Sequence, residues 1–263
     1  MPLITSPHND RVKLVRSLQT SGRARRQERK LVLEGVRLVA DALAAGAVPD
    51  FALVTPDLAE AAVTTALAAA GAPIFEVSPE MLAHAADTQT PQGIIAVLPL
   101  PEAAPPDHVT LLLILDAIAD PGNLGTILRT AAAAGADVVA LAPNSVDPFN
   151  PKVLRGAMGA HFRLPIVRWS WREIADRCRD LPVFLADAEA AQHYNAVDWR
   201  APLALIIGGE AHGAASEAHQ LATTRIAIPM ANQVESLNAA IATGVLLFEI
   251  RRQRRQGQQD SKA

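Results

Sequence analysis

Three places in the chain gather residues able to hold a ligand, and each follows a short apolar run. In IAIPMANQVESLNAAIATGVLLFEI, Ile226–Ile250, a strand stops at Pro229, which has no N–H for a neighbouring strand, and Met230 to Glu235 turn the chain. Ser236, Leu237 and Asn238 then open a helix, whose first turn leaves backbone N–H groups free for a ligand. In LIIGGEAHG, Leu205–Gly213, a strand ends in Gly208 and Gly209 followed by the acid Glu210. In LDAIADPGNLGTILRTAAAAGAD, Leu115–Asp137, a strand and a turn at Asp120-Pro121-Gly122 lead into an Ala-rich helix that carries Asn123 and Arg129 and closes at Gly135. The chemistry available is that of amide, hydroxyl, carboxylate and guanidinium groups set at strand ends, where they can orient a bound molecule. Singly, each stretch is also an ordinary loop or helix cap.

The elements that must position these groups alternate between strand and helix. Residues 1–98 read as a basic helix at Val12–Thr20, a strand at Leu31–Leu33, a helix from Val36 closed by Gly46, and a strand at Phe51–Val54. An Ala-rich helix from Asp57 to Gly71, a strand at Ile74–Val77, a helix opened by Ser78-Pro79 and a strand at Gly93–Leu98 complete this domain. PLPEAAPPDH, residues 99–108, is proline-dense and aperiodic, which predicts a stiff linker. From Val109 the alternation resumes, with strands expected at Thr110–Leu115, Asp137–Leu141, Val183–Ala186, Ala204–Ile207 and Ile226–Ile228, implying a mainly parallel sheet covered by helices. Ser170 with Glu173 predicts a capping box for a helix running to Arg179. Leu237, Ile241, Val245 and Phe248 recur at helical spacing and are expected to form the buried face of the last helix. A second α/β domain is expected over 109–256, and a disordered tail over 257–263.

Composition narrows the class. With 263 residues, half of them apolar, burial is not limiting. Cys178 is the single cysteine, so no internal disulfide forms, and a reducing compartment is expected. Met1–Asp10 lacks a secretory pattern, and apolar runs such as Val109–Leu115 fall short of the roughly 20 residues of a membrane helix. The expectation is a soluble, cytoplasmic protein with no membrane partner. The seven histidines show no paired ligand spacing, so no metal is expected. Walker, dinucleotide and nucleophile-elbow patterns are missing too. Net charge is −3, yet Arg11, Lys13, Arg16, Arg23, Arg25, Arg26, Arg29 and Lys30 stand against Glu28 alone between positions 11 and 30, and Arg251, Arg252, Arg254 and Arg255 form a second cluster. Such clusters favour phosphate contacts whatever the overall charge.

In order and spacing, the three strand-end stretches resemble the three motifs of the SpoU/TrmH type of RNA 2′-O-ribose methyltransferase, within the trefoil-knotted SPOUT class. Asn123 and Arg129 match in the first motif, Glu210 in the second, and Pro229, Ser236, Leu237 and Asn238 in the third. The resemblance implies a C-terminal domain tied in a deep trefoil knot, an exception among folds, and S-adenosylmethionine as methyl donor. The cofactor site would comprise Gly208, Gly209, Ile228, Pro229, Met230 and Leu237, with glycine letting the backbone approach. Arg129 would be the central catalytic residue. A guanidinium stays protonated at neutral pH, so its expected part is to position the target phosphate and hydroxyl and stabilise the developing alkoxide. Asn123 would brace the arginine, Glu210 orient substrate or arginine, and Ser236 and Asn238 cap the last helix and hold the reacting groups. The chain departs from the pattern at Gly209, where asparagine is common, and at Ala239-Ala240, which leaves pocket shape open.

SPHNDRVKLVRSL, LVLEGVRLVADAL and TPQGIIAV resemble the substrate-binding domain, similar to a small ribosomal RNA-binding protein, that precedes the knotted domain in many rRNA-directed members. On that resemblance Arg11, Lys13, Arg23, Arg25 and Arg26 contact RNA, and Glu34 and Gly35 shape a turn. Ribosomal RNA is the expected partner and a homodimer the expected assembly, its interface helping to complete the site. A transfer-RNA enzyme, or a non-catalytic RNA-binding or ribosome-assembly protein on the same fold, is the alternative.

Overall fold

The computed structural model describes residues 1–102, 104–209 and 213–260, the last three of these by backbone alone. The chain divides into two compact units, Met1–Glu102 with Phe149–Arg163, and Ala103–Pro148 with Leu164–Ala263.

The first unit is built on a mixed sheet of β1 (Leu3–Ile4), β2 (Lys30–Glu34), β3 (Phe51–Val54), β4 (Ile74–Val77) and β5 (Ile94–Pro99), in the order β1-β4-β3-β5-β2. On one face lie α1 (Asp10–Thr20) and α5 (Pro79–Ala85), burying Val12, Val15, Leu18 and Leu82. On the other lie α3 (Val36–Ala44) and α4 (Ala62–Ala69), joined by a helix from later in the chain, α7 (Pro151–Ala157), whose Leu154 is buried with Leu31 and Leu33. The sequence reading assigned 149–163 to the second domain. Apolar packing of Leu154 and the Arg155–Asp87 ion pair at 2.9 Å hold it in the first.

Local chemistry sets the helix starts. Asn9 caps α1 by accepting from the Arg11 N–H at 2.9 Å, and Ser78 caps α5 by accepting from Met81 at 3.2 Å, with Pro79 in the first turn. The single Ala-rich helix expected over 57–71 is instead a 3₁₀ turn at Pro56–Leu58 followed by α4, because the Thr64 hydroxyl takes the Leu58 carbonyl at 2.7 Å. Between α1 and β2 the chain forms a further helix, α2 (Gly22–Glu28). Its Arg25 is 4 % exposed and donates to the Leu18 and Gln19 carbonyls at 2.6 and 3.3 Å, tying α2 to the end of α1. That burial corrects the expectation that Arg25 contacts RNA. Replacing Arg25 with alanine strips those two carbonyls of a charged donor. It is expected to cost about 1–3 kcal/mol in a denaturant titration, with the salt dependence of RNA binding unchanged.

The second unit is a six-stranded, wholly parallel sheet of β6 (Leu111–Leu115), β7 (Val138–Leu141), β8 (Ile166–Arg168), β9 (Val183–Ala186), β10 (Leu203–Ile207) and β11 (Thr224–Ile226), in the order β11-β9-β10-β6-β7-β8. All five residues of both central strands, β6 and β10, are buried, as a strand covered on both faces requires. From β6 the chain winds outward through β7 to β8, then returns to the other side, so the order reverses between β6 and β10. In open parallel sheets such a reversal opens a crevice at the carboxyl ends of the strands. The helices are α6 (Pro121–Ala134), α8 (Trp171–Arg177), α9 (Ser216–Leu221) and α10 (Ala239–Asp260). Ser170 and Glu173 form the expected capping box of α8.

Two expectations about α10 are corrected. Its buried residues are Ala239, Ala240, Thr243, Leu246, Leu247 and Ile250, packed toward α6, whereas Ile241 is 56 % and Phe248 50 % exposed. The helix also runs on to Asp260, so the expected tail is helical through that residue, and 261–263 lie outside the described residues. Glutamines at 256, 258 and 259 are good helix formers and no proline intervenes, so Gly257 alone does not stop it.

The C-terminal arginine cluster serves the fold. Arg254 donates to the carbonyls of Trp199, Ala201 and Thr110, Arg251 to the Ala133 carbonyl at the end of α6, and Arg252 pairs with Glu249 at 2.7 Å. No described helix is long and apolar enough to cross a membrane, and no group of three metal-ligating side chains occurs among the described residues.

Candidate active site

A cavity of about 770 Å³ opens at the carboxyl ends of β9, β10 and β11. That size suits a cofactor-sized molecule. Gly208, Gly209, Ile228, Met230, Leu237, Ser236 and Asn238, all picked out by sequence, line it. Pro229, assigned with them, is exposed and outside the lining. Glu210 and its neighbour His212 lie outside the described residues.

The two glycines have different neighbours but the same reason to be glycine. A Cβ on Gly208 would stand 2.7 Å from the Ala214 nitrogen and 2.8 Å from the Gly213 carbonyl carbon. One on Gly209 would stand 2.6 Å from the Ala117 oxygen. Backbone therefore closes on backbone, and Gly213 donates back to the Gly209 carbonyl at 3.1 Å. Gly208, Gly209, Gly213 and Ala214, which make these close approaches, all line the cavity.

The other wall is made by the start of α10. Asn238 caps that helix, accepting from the Ala240 and Ile241 N–H groups at 2.9 and 3.3 Å. Its amide nitrogen also donates to the Asn123 oxygen at 3.1 Å. Asn123 lies in the first turn of α6, whose own cap, Asp120, accepts from the Asn123 N–H at 2.7 Å. One amide-to-amide bond thus joins two helix N-termini at the cavity rim, bringing together the first and third motifs across 115 residues of sequence. At both helix starts the cap side chains of Asp120 and Asn238 take first-turn N–H groups, which fixes the geometry of the rim.

Arg129 is not brought to the cavity of its own chain. It lies six residues beyond Asn123, about 9 Å further along α6 and roughly 120° around it. It is exposed, with no hydrogen bond or ion pair to a described residue. A guanidinium left uncommitted in this way is available to a substrate phosphate or oxyanion.

Sequence reasoning gave no role to two acids that build the site. Asp116, at the end of β6, is 2 % exposed and accepts from the Ala215 N–H at 2.6 Å, anchoring the far end of the glycine loop. Its signal was a lone acid directly after an apolar strand, but its partner lies 99 residues away. Burial pushes the Asp116 carboxyl up, the Ala215 N–H opposes that, and Glu217 adds to the rise. The native state therefore holds this proton to higher pH than the unfolded chain, and the contribution of the group to stability falls as pH rises above 3.8. Asp116→Asn, which keeps an acceptor for Ala215, is expected to remove that slope from a melting-temperature profile against pH. Asp187, at the end of β9, lines the cavity, accepts from the Glu189 N–H at 2.9 Å and pairs with Arg225 at 3.1 Å.

On the first unit, Arg11, Lys13, Arg23 and Arg26 are exposed as expected. The Arg11 guanidinium lies 4.0 Å from the centre of the Phe75 ring, and Lys13 faces Asp10 at 3.6 Å in an exposed pair worth little.

A parallel α/β sheet with a glycine-walled cavity at its strand ends, in a chain that also carries a basic segment between positions 11 and 30, matches the SPOUT methyltransferase class. The chain belongs to the SpoU rRNA methylase family, whose model matches residues 110–248, while residues 9–96 match the MRM3-like substrate binding domain. It is 40 % identical over 258 residues to an uncharacterised tRNA/rRNA methyltransferase of Synechocystis, covering 95 % of this chain and 93 % of that one. It is 33 % identical to the 23S rRNA (guanosine(2553)-2′-O)-methyltransferase RlmP of Bacillus subtilis, covering 95 % of this chain and all of that one (100 %). The crystal structure of an AdoMet-bound rRNA methyltransferase from Sinorhizobium meliloti superposes with a TM-score of 0.85 at 32 % identity, over 95 % of this chain and 97 % of that one.

Proposed function

We propose that the protein transfers a methyl group from S-adenosylmethionine to a ribose 2′-hydroxyl of ribosomal RNA in the cytoplasm. The observation that carries this is the Asn123–Asn238 bond at the rim of the glycine-walled cavity, which puts two helix N-termini beside a space of cofactor size. The residues present fit the cofactor, since a cavity of about 770 Å³ sets the apolar side chains of Ile228 and Leu237 beside the polar groups of Ser236 and Asn238. When bound, the cofactor supplies an electrophilic methyl group carried on a sulfonium.

The chain's own groups do the rest. Gly208, Gly209 and Met230 admit and orient the cofactor, and Ile228 and Leu237 keep water from its apolar parts. Ser236 and Asn238 face the reacting atoms and Asn123 braces them. Arg129 would hold the target phosphate and stabilise the alkoxide while the hydroxyl proton passes to solvent water; the methyl carbon would bond the ribose oxygen as its bond to sulfur breaks, leaving a neutral thioether. Glu210 completes this assignment. Arg11, Lys13, Arg23 and Arg26 grip the RNA backbone. Two molecules work together, because Arg129 does not line its own chain's cavity and Ile241 and Phe248 leave an apolar stripe exposed on α10. The trefoil knot expected of this class belongs to the same reading.

Ribose-methylation mapping of total RNA from cells with and without the protein tests the assignment. New methylation confined to ribosomal RNA supports it. New methylation confined to transfer RNA overturns the choice of substrate, and no change in any RNA overturns the activity.

A further inference from the structure

The turn DTQTPQ, residues 87–92, is held more firmly than a surface connection needs. At the end of β2 the Glu34 carboxylate is 9 % exposed and accepts from three donors: the Thr88 hydroxyl, the Asp87 N–H at 3.2 Å and the Gln19 amide at 3.3 Å. Burying a carboxylate is costly, and charge-assisted bonds of this kind offset the cost. Gly35, at φ +104°, leaves room for the turn, since a Cβ there would lie 2.7 Å from the Gln92 side-chain oxygen. Pro91 fixes a further backbone angle.

The same contacts remove negative charge from the turn. Glu34 is buried, and Asp87 is paired with Arg155 at 2.9 Å. Gln89, Thr90 and Gln92 are exposed, uncharged and make no side-chain hydrogen bond to a described residue, the Gln92 amide resting beside Gly35. Each offers a donor and an acceptor. The basic surface is adjacent. Gln19, which bonds Glu34, also gives its backbone carbonyl to Arg25 of α2, and α2 carries the exposed Arg23 and Arg26. Guanidinium groups and neutral amides carried on an anchored turn therefore share one end of α1. In nucleic-acid recognition the first kind of group positions the backbone and the second kind specifies bases. A glutamine amide can pair with two atoms of an adenine edge, and RNA exposes such edges where nucleotides are unpaired.

We infer that residues 89–92 read base edges of unpaired nucleotides in the RNA substrate. Glu34, Gly35 and Thr88 act as positioning residues, and Arg23 and Arg26 hold the neighbouring phosphates. This rests on the RNA-methyltransferase reading above and extends it to the choice of target.

The test uses the full chain with two probes, protein-free large-subunit ribosomal RNA and poly(U). The double variant Gln89→Ala/Gln92→Ala is expected to lose about tenfold or more in transfer efficiency on ribosomal RNA, through KM rather than kcat. Its poly(U) affinity, cofactor affinity and melting temperature should stay unchanged. Arg23→Ala/Arg26→Ala should weaken both RNAs and lower the salt slope of binding by about two. Thr88→Val should follow the glutamine pair, and Thr88→Ser should restore selectivity. Ribosomal-RNA transfer within about twofold of the parent in the glutamine pair, or an equal loss on poly(U), overturns the inference. A parent chain that binds cofactor yet methylates neither RNA overturns the reading beneath it, and is recognised before any variant is made.

Discussion

Replacing Arg129 with alanine is expected to reduce methyl transfer by about 10²–10³-fold or more, with the fold and the cofactor affinity preserved. The separation of these effects follows from where the residue sits. Arg129 is exposed, makes no bond to a described residue and lies outside the cavity lining, so its removal leaves neither a hole nor an orphaned partner. Beyond its hold on the target phosphate, the larger part of its proposed work is done only as negative charge gathers on the ribose oxygen. An interaction made only at that stage lowers kcat, and kcat/KM by the same factor. Arg129→Lys should recover part of the rate, because it keeps the charge but not the planar fork that can hold a phosphate and an oxyanion together. Single-turnover transfer, calorimetry with S-adenosylmethionine and thermal melting check the three terms separately. An unchanged rate for the alanine variant would remove Arg129 from the mechanism.

Gly208→Ala is expected to have the second large effect, and on a different quantity. The added carbon would meet the Ala214 nitrogen at 2.7 Å and the Gly213 carbonyl carbon at 2.8 Å, both of them backbone, so no side chain can swing aside. The backbone at Gly208 or at Gly213 and Ala214 must move, and all three residues line the cavity. Overpacking of this kind costs about 1–3 kcal/mol, which at the cofactor site is about a tenfold to hundredfold loss of affinity. Gly213→Ala is the matched control: its φ of +67° makes alanine strained, but no atom lies within 4 Å of the added carbon. Calorimetry should therefore show a much larger loss for position 208 than for position 213. Equal losses would mean that the loop, rather than the close approach at Gly208, governs binding.

Local patterns that carry their own physics were legible in the chain. Phe51–Val54 and Ile74–Val77 are strands at the expected bounds, and Ser170 and Glu173 form the expected capping box. Among the residues chosen for the site, Gly208, Gly209, Ile228, Met230, Ser236, Leu237 and Asn238 line one cavity, Pro229 stands outside it, and Asn123 joins Asn238. Glu210, which falls outside the described residues, adds nothing to this comparison.

Properties decided by tertiary partners were not legible. The last helix carries two apolar stripes at helical spacing: Leu237, Ile241, Val245 and Phe248, and the rival set Ala239, Thr243, Leu246 and Ile250. Periodicity cannot choose between them. Packing of α10 on α6 selects the second set and leaves Ile241 and Phe248 exposed. Charge was ambiguous for a similar reason. Arg25, Arg251 and Arg254 look from composition like phosphate ligands, yet each serves backbone carbonyls that only the fold brings near. Asp116 was passed over because its one partner, the Ala215 N–H, comes from a loop far along the chain. Short elements such as α7 and β8 hold too few residues for a period to emerge.

The account turns on where the methyl group goes, and one measurement addresses that directly. Ribosomal RNA incubated with the purified protein and S-adenosylmethionine labelled in its methyl group is hydrolysed with alkali, and the products are separated. Methylation of a 2′-hydroxyl removes the internal nucleophile that alkali uses to cleave the adjoining linkage. The account predicts label in alkali-resistant dinucleotides that yield 2′-O-methyl nucleosides on enzymatic digestion. Label recovered in mononucleotides as methylated bases, or no label in the RNA, would contradict it.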